Sequence, residues 1–354
     1  MTRARDLGIP FEGTTGECNA ITDVSGLTVG YATVIEGESA RTGVTVIHPR
    51  GQGNHEPVFG AWFPFNGNGE LTGSAWLEEG GMLEGPIGIT NTHSVGIVRD
   101  TIIQWQVEHD AVFQKWSCPL VTETADGWLN DMNGFFIKSE HVIQALNSAH
   151  AGAIAEGNVG GGTGMICYEF KGGTGTSSRK LPAKLGGWTV GALVQSNFGR
   201  RYQLTIAGTP AGKHLKDDAP FTNGENPFAQ DDGSLIVVIA TDAPLLPHQL
   251  KRLAKRASLG MARTGSLGGN GSGDIFLAFS TAPSGLSDEM TCKVNYVRND
   301  NLDPLLFASA YATEEAIINS LVAAENMTGH NGVSIKALPH NKLCEIMRNY
   351  NRMH

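Results

Sequence analysis

The chain of 354 residues is short of several things that would mark a specialised class. It has five cysteines (Cys18, Cys118, Cys167, Cys292 and Cys344), odd in number, far apart and without a CxxC pair. That spacing argues against a disulfide framework or a zinc site and reads as buried, reduced thiols. Eleven histidines are scattered, and "HEPVF" at 55–59 lacks the second histidine of HExxH, so neither a metal nor another cofactor is expected. Basic charge is scarce. Lys and Arg number 26 against 35 Asp and Glu, a net charge of −9, which leaves no footprint for nucleic acid. Long apolar runs are missing. The longest, "LIVVIA" at 235–240, is far below the ~20 residues of a membrane span. The start, "MTRARDLGIPFEGTTGE", has no apolar stretch of the leader type. The expectation is a soluble cytoplasmic protein whose partners are small molecules rather than nucleic acid or membrane.

Glycine is abundant, with 46 residues, nearly twice the usual ~7% share. Apolar residues make up 40% and charged residues 17%, enough for a substantial core in one unit spanning 1–354. Strand-like segments fill the first two-thirds: "GLTVGYATVI", "TGVTVIHP", "VFGAWFPF", "PIGITNTHSVGIV", "PLVTET", "MICYEF", "WTVGALVQSNFG" and "SLIVVIAT". Helices are predicted over 139–157, over 247–264 with Leu250, Leu253, Ala254, Ala257 and Met261 as its apolar stripe, over 303–325 with Asp303 as N-cap, and in the last residues. Residues 216–234 read as the longest loop. No internal repeat is visible. The mixture predicts stacked sheets covered by helices.

The segment 265–274, "GSLGGNGSGD", holds five glycines and places Ser272 between the last two, just before the strand-like "DIFLAFST". A P-loop would need a Lys after its glycines, and a Rossmann fingerprint would need a glycine where Asp274 stands. A nucleophile elbow would need glycine at Asn270 and the order strand–Ser–helix, which is reversed here. One arrangement does fit. A serine that follows glycine and precedes a strand can attack the unhindered carbonyl before it, and the cut chain then begins with a serine carrying both a nucleophile and an α-amine of pKa about 7.7–8.0. Taken alone, the glycine content favours the plainer reading of a mobile loop that contains a serine.

Six motifs in chain order carry a resemblance: "RARDLGIPFEGTTGECNAITDVSGLTVGYATVI", "TNTHSVGIVRD", "ETADGWLNDMNG", "GALVQSNFG", "GGNGSGDIFLAFST" and "ATEEAIINSL". Over residues 3–340 the chain resembles the self-processing L-aminopeptidase/D-Ala-esterase-amidases and β-peptidyl aminopeptidases. The resemblance implies a mixed α/β fold, an αββα four-layer sandwich similar to N-terminal-nucleophile hydrolases but with its own connectivity. It implies autocleavage between Gly271 and Ser272 into chains 1–271 and 272–354, a homo-oligomer (a tetramer of such heterodimers), and release of N-terminal small L-, D- or β-amino acids from peptides, amides and esters. It makes Ser272 the nucleophile and Asn197 the oxyanion donor, although an asparagine before Phe198-Gly199 also reads as a turn residue. Thr313 and Glu315 match the pair that tunes the nucleophile. Two residues on one straight helix point about 200° apart, so Glu314 stays open as the alternative to Glu315. Glu123 matches the carboxylate that pairs with the substrate's amine. Ala125 stands where an aromatic is common, which implies a differently shaped acyl pocket. His93 reads as structural. The alternative activity is acyl transfer of the ornithine acetyltransferase type, but those proteins cut before threonine.

Overall fold

The computed structural model describes residues 2–221, 230–286 and 290–353. The first half contains β1 (Thr28–Glu36), β2 (Ala40–His48), β3 (Val58–Pro64), α1 (Ser74–Gly80), β4 (Met82–Leu83), β5 (Ile87–Thr90), α2 (Val95–Glu108), β6 (Leu120–Glu123) and α3 (Ser139–Asn147). The second contains β7 (Ile166–Cys167), β8 (Phe170–Lys171), β9 (Gly173–Lys180), β10 (Thr189–Asn197), β11 (Ser234–Thr241), α4 (Pro247–Arg263), β12 (Ile275–Ser280), α5 (Asp303–Val322), β13 (Met327–Thr328), β14 (Ser334–Ile335) and α6 (His340–Asn349).

Two sheets stack face to face. One has the order β1-β2-β5-β6, the other β4-β3-β12-β11-β10-β9. β12 runs parallel to β11 and antiparallel to β3. Its side chains alternate, as the period of two in a strand requires. Ile275, Leu277 and Phe279 enter the core between the sheets with Val29, Ile47, Ile87 and Ile89, whereas Phe276 and Ala278 face the layer of α4 and α5. On the far side, Val98, Ile102 and Trp105 of α2 and Val142 and Leu146 of α3 cover Val44 and Val46 of β2. The layers are therefore αββα, as expected from the resemblance.

Both helical layers come close enough to touch sheet backbone. A Cβ on Gly175 of β9 would lie 2.0 Å from the Ala316 carbonyl oxygen of α5, and one on Gly30 of β1 would lie 2.0 Å from that of Ala145 in α3.

Several expected elements are corrected. The helix predicted over 139–157 stops at Asn147, because the chain then turns to pair His150 with Val29 and to carry Glu156 to Arg3. Asp303 is the first helical residue of α5 rather than its cap; Leu302 takes that position and no side chain caps it. Helix α2 begins inside a segment read as strand, at Val95, and runs ten residues past its end, and β9, "GTGTSSRK", was not foreseen at all. β9 is buried but polar: the Thr176 hydroxyl donates to the Ala192 carbonyl and the Ser177 hydroxyl to that of Ala312. Part of the expected loop, 222–229, lies outside the described residues. No disulfide forms among the described residues, and of the five cysteines Cys167 alone is buried while Cys292 is exposed.

The contact at Gly175 yields a prediction. Gly175→Ala should cost on the order of 2–3 kcal/mol, because α5 must move off the sheet to admit the methyl group. The midpoint of urea unfolding measures this, and an unchanged midpoint would show that α5 docks loosely.

Candidate active site

The site grows from the ends of three neighbouring strands. Asn197, the last residue of β10, sits opposite Ser234, the first of β11. One strand further on, Gly273 precedes β12 and donates its N–H to the Gly233 carbonyl at 3.1 Å. Asn197, Ser234 and the Ser272–Gly273 pair thus follow one another across the same sheet end.

The glycine segment is packed rather than looped out. Ser272 is 1% exposed, and its N–H donates to the Gly269 carbonyl at 3.0 Å. A Cβ on Gly271 would lie 2.2 Å from Asp232 Oδ1, so no larger residue fits before the serine without displacing that carboxylate. The Ser272 hydroxyl donates to Asp274 Oδ1 at 2.8 Å, and Asn66 Nδ2 donates to Asp274 Oδ2 at 3.0 Å. Burial pushes the Asp274 carboxyl up to about 6; those two hydrogen bonds oppose the rise and Asp231 adds to it. Asn68 Nδ2 donates to the Gly271 carbonyl oxygen at 2.5 Å.

Glu123, at the end of β6, is 3% exposed. Its Oε1 accepts the Glu70 N–H at 3.0 Å and its Oε2 accepts the Thr92 hydroxyl. Burial raises its carboxyl above the usual range, and the two hydrogen bonds restrain the rise. A Cβ position on Gly69 lies 3.1 Å from Glu123 Oε1 and 3.5 Å from Gly273 Cα, so the carboxylate and the residue after the serine border the same space. His93 is exposed and stacks on Phe135 with ring centroids 5.9 Å apart.

The Asn197 amide is oriented by its neighbours. Its Oδ1 accepts the Ile166 N–H at 2.9 Å, and its Nδ2 donates to the Ala125 carbonyl at 2.8 Å. The second N–H on that nitrogen is left for a ligand. Asn197 lines a cavity of about 950 Å³ with Ala125, Trp128, Phe221, Asp232 and Gly233. Trp128 and Phe221 form its aromatic wall, their rings 4.4 Å apart.

Thr313 and Glu315 are not brought to this site. The Thr313 hydroxyl donates to the Ser309 carbonyl within α5, and its Cβ packs on Gly260 of α4. Glu315 pairs with Arg5 at 2.8 Å and Arg179 at 2.7 Å and accepts from Asn19 at 2.6 Å. Burial pushes its carboxyl up, but those three partners outweigh burial and hold it below the usual range. Arg179 lies on β9, three strands from β12, and pairs with Val190, at the sheet end opposite Asn197. Glu314 pairs with Arg263. The helical acids thus bind the N-terminal segment and α4 to the fold. Asp274, Asn66 and Asn68 were missed by sequence reasoning. The only signal for them was position: Asp274 two residues after the serine, and the asparagines in "FNGNGE" at the end of β3.

The four αββα layers, with a cavity at the end of β10, fit the N-terminal-nucleophile hydrolase class that the sequence motifs resemble. Comparison with known proteins narrows the class. The profile of peptidase family S58 matches residues 19–335. The β-peptidyl aminopeptidase BapA of Sphingosinicella microcystinivorans is 50% identical over 370 aligned residues, covering 99% of this chain and 93% of that protein. The L-aminopeptidase D-Ala-esterase/amidase of Ochrobactrum anthropi, described as a prototype of the serine aminopeptidases and a variant of the Ntn hydrolase fold, superposes with a TM-score of 0.93 at 46% identity, covering 100% of both chains. A β-aminopeptidase from a Burkholderia species gives a TM-score of 0.90 at 48% identity, covering 98% of this chain and 99% of its own. The chain belongs to peptidase family S58 and is a hydrolase of aminopeptidase type. The acyl-transfer alternative gains no support from these matches. No described helix is long and apolar enough to cross a membrane.

A buried lysine backs the turn that holds Asn197. Lys171 Nζ donates to the carbonyls of Gly162 at 3.3 Å, Met165 at 2.8 Å and Gly172 at 2.9 Å, which ties down the turn that presents Ile166. Burial lowers the Lys171 ammonium to about 7. Lys171→Met removes the side-chain donor from all three carbonyls; those of Gly162 and Met165 keep the backbone N–H groups of Met165 and Gly172, so the loss should be on the order of 1–3 kcal/mol. Denaturant unfolding checks this, and a loss below ~0.5 kcal/mol would show that the turn holds without the lysine.

Proposed function

We propose that this peptidase cuts itself between Gly271 and Ser272 and then uses Ser272 as the nucleophile that takes the acyl group of an aminoacyl amide, ester or peptide. The observation that carries the reading is that a buried serine at the head of β12 and an asparagine with an N–H to spare lie at one end of the six-stranded sheet, and that the buried Glu123 carboxylate of the facing sheet borders the residue after the serine. Asn197 donates to the oxyanion, and Glu123 receives the substrate's protonated amine. The names of the relatives favour N-terminal β-amino acids or small L- or D-residues as the acyl part. Ala125 in the cavity wall leaves room for a side chain there, with Trp128 and Phe221 beyond it.

The two pieces, 1–271 and 272–354, remain one domain. β12 is hydrogen-bonded on both sides, and withdrawing it would expose Ile275, Phe276, Leu277 and Phe279, at about 1.5–3 kcal/mol for each side chain. Association of the processed heterodimers as a homo-oligomer, a tetramer, completes the reading taken from the resemblance.

Ser272→Ala should stop both the cut and the hydrolysis of an aminoacyl anilide, because both use one hydroxyl. Either process surviving in that variant removes Ser272 from the role. Asn197→Ala should lower kcat by about 10²–10³, the usual effect of one oxyanion donor. A rise in KM with kcat intact would make Asn197 a binding residue instead. Glu123→Gln should weaken substrates with a free amine by about 1.5–3 kcal/mol in kcat/KM, the worth of a charge-assisted hydrogen bond. Comparing a free aminoacyl amide with its N-acetyl form reads this directly. If the parent protein hydrolyses both forms equally, amine recognition by Glu123 is wrong.

A further inference from the structure

We infer that the self-cleavage has its own machinery, with Asn68 as the oxyanion donor and Asp274 as the base, distinct from the Asn197 donor used in turnover. The inference rests on the self-processing reading above and adds the groups that perform the cut. Two contacts carry it. The side-chain amide of Asn68 already donates, at 2.5 Å, to the carbonyl oxygen of Gly271, the oxygen that becomes negative when that carbonyl is attacked. The Ser272 hydroxyl already donates, at 2.8 Å, to a carboxylate two residues on. In the uncut chain the Asn197 amide is bonded elsewhere, to the Ile166 N–H and the Ala125 carbonyl, while the Gly271 oxygen is held by Asn68.

The step balances as follows. Asp274 Oδ1 takes the hydroxyl proton as Ser272 Oγ bonds to the Gly271 carbonyl carbon. The carbonyl electron pair moves onto oxygen, where the Asn68 N–H meets it. As the oxyanion collapses, the bond from that carbon to the Ser272 nitrogen breaks, and the nitrogen takes the proton back from Asp274. An ester now joins Gly271 to Ser272 Oγ. Water adds to the ester carbonyl, giving a Gly271 carboxylate, a free Ser272 hydroxyl and a Ser272 α-amine that takes up the proton released by the new carboxyl group. Asn66, bonded to Asp274 Oδ2 at 3.0 Å and to the Gly269 carbonyl at 3.2 Å, is a positioning residue that locks the base to the turn. The two sides of the bond differ in exposure. Asp274 is 1% exposed, whereas Asn68 faces solvent, so water reaches the ester on the asparagine side and the base stays shielded. The raised carboxyl of Asp274 suits a group that must both take a proton and return it.

The test follows the uncut full-length chain, captured after brief expression, as it converts to 1–271 and 272–354 by intact mass and denaturing electrophoresis. Asn68→Ala and the isosteric Asn68→Asp should each slow conversion about 10–100-fold, the range of a solvent-side hydrogen bond to a developing charge. Asp274→Asn, which keeps the shape and loses the base, should slow it at least about 100-fold. Each variant's elution volume and thermal midpoint are compared with the parent's, so that a slow cut in a folded chain is separated from misfolding. Asn68→Asp, exposed and equal in size, supplies the folded case if Asn68→Ala does not. Conversion of folded Asn68→Asp at the parent rate overturns the assignment while self-processing stands. A parent chain that never converts overturns self-processing itself.

Discussion

β12 lies between β3 and β11 and is hydrogen-bonded along both edges, and this placement decides where Ser272 can be. A strand at the edge of a sheet can slide or peel away. A strand inside a sheet is fixed in register by both neighbours, and so is the residue at its head. Because β11 is parallel to β12 and begins beside it, the turn at 231–234 and the turn at 271–274 meet at one level, and β10 delivers Asn197 one strand further on. A cut before β12 releases one peptide bond without releasing the strand. The architecture thus allows a new chain terminus to form deep inside a folded protein.

The layers hold that frame by unusually polar means. β9 is buried and bonded through Thr and Ser hydroxyls, and α5 above it is buried along most of its length. Glu156 and Glu315, both buried, meet Arg3, Arg5 and Arg179 and so anchor the N-terminal segment across the outer strands. Such ion pairs are costly to bury and costlier to break, since removing one partner strands the other charge away from water. Their contribution is positional: the N-terminal segment is held against β9 and α5.

Strands with β-branched alternation were legible in the sequence, as were α4 and α5, because their periodicity reflects burial on one face or two. β9 was not, since its polar residues satisfy one another only once α5 and β10 are in place. Nor was the end of α3, which is set by the pairing of His150 with Val29. In the site, Ser272 could be singled out from the glycines around it, and Asn197 and Glu123 from motifs that carry a resemblance. For Thr313 and Glu315 the structure gives other partners than the nucleophile, Ser309 for the one and Arg5, Arg179 and Asn19 for the other, because a sequence motif cannot show which face of α5 meets the N-terminal segment. Asn68 was invisible for a related reason. It reaches Gly271 across 203 positions of chain, and nothing near it in sequence says so.

N-terminal sequencing of a fully active preparation tests the central claim most directly. The account predicts two N-termini, one from the start of the chain and one reading Ser-Gly-Asp-Ile-Phe, carried by pieces that elute as a single species. An active preparation with one N-terminus and the intact mass of residues 1–354 would contradict it.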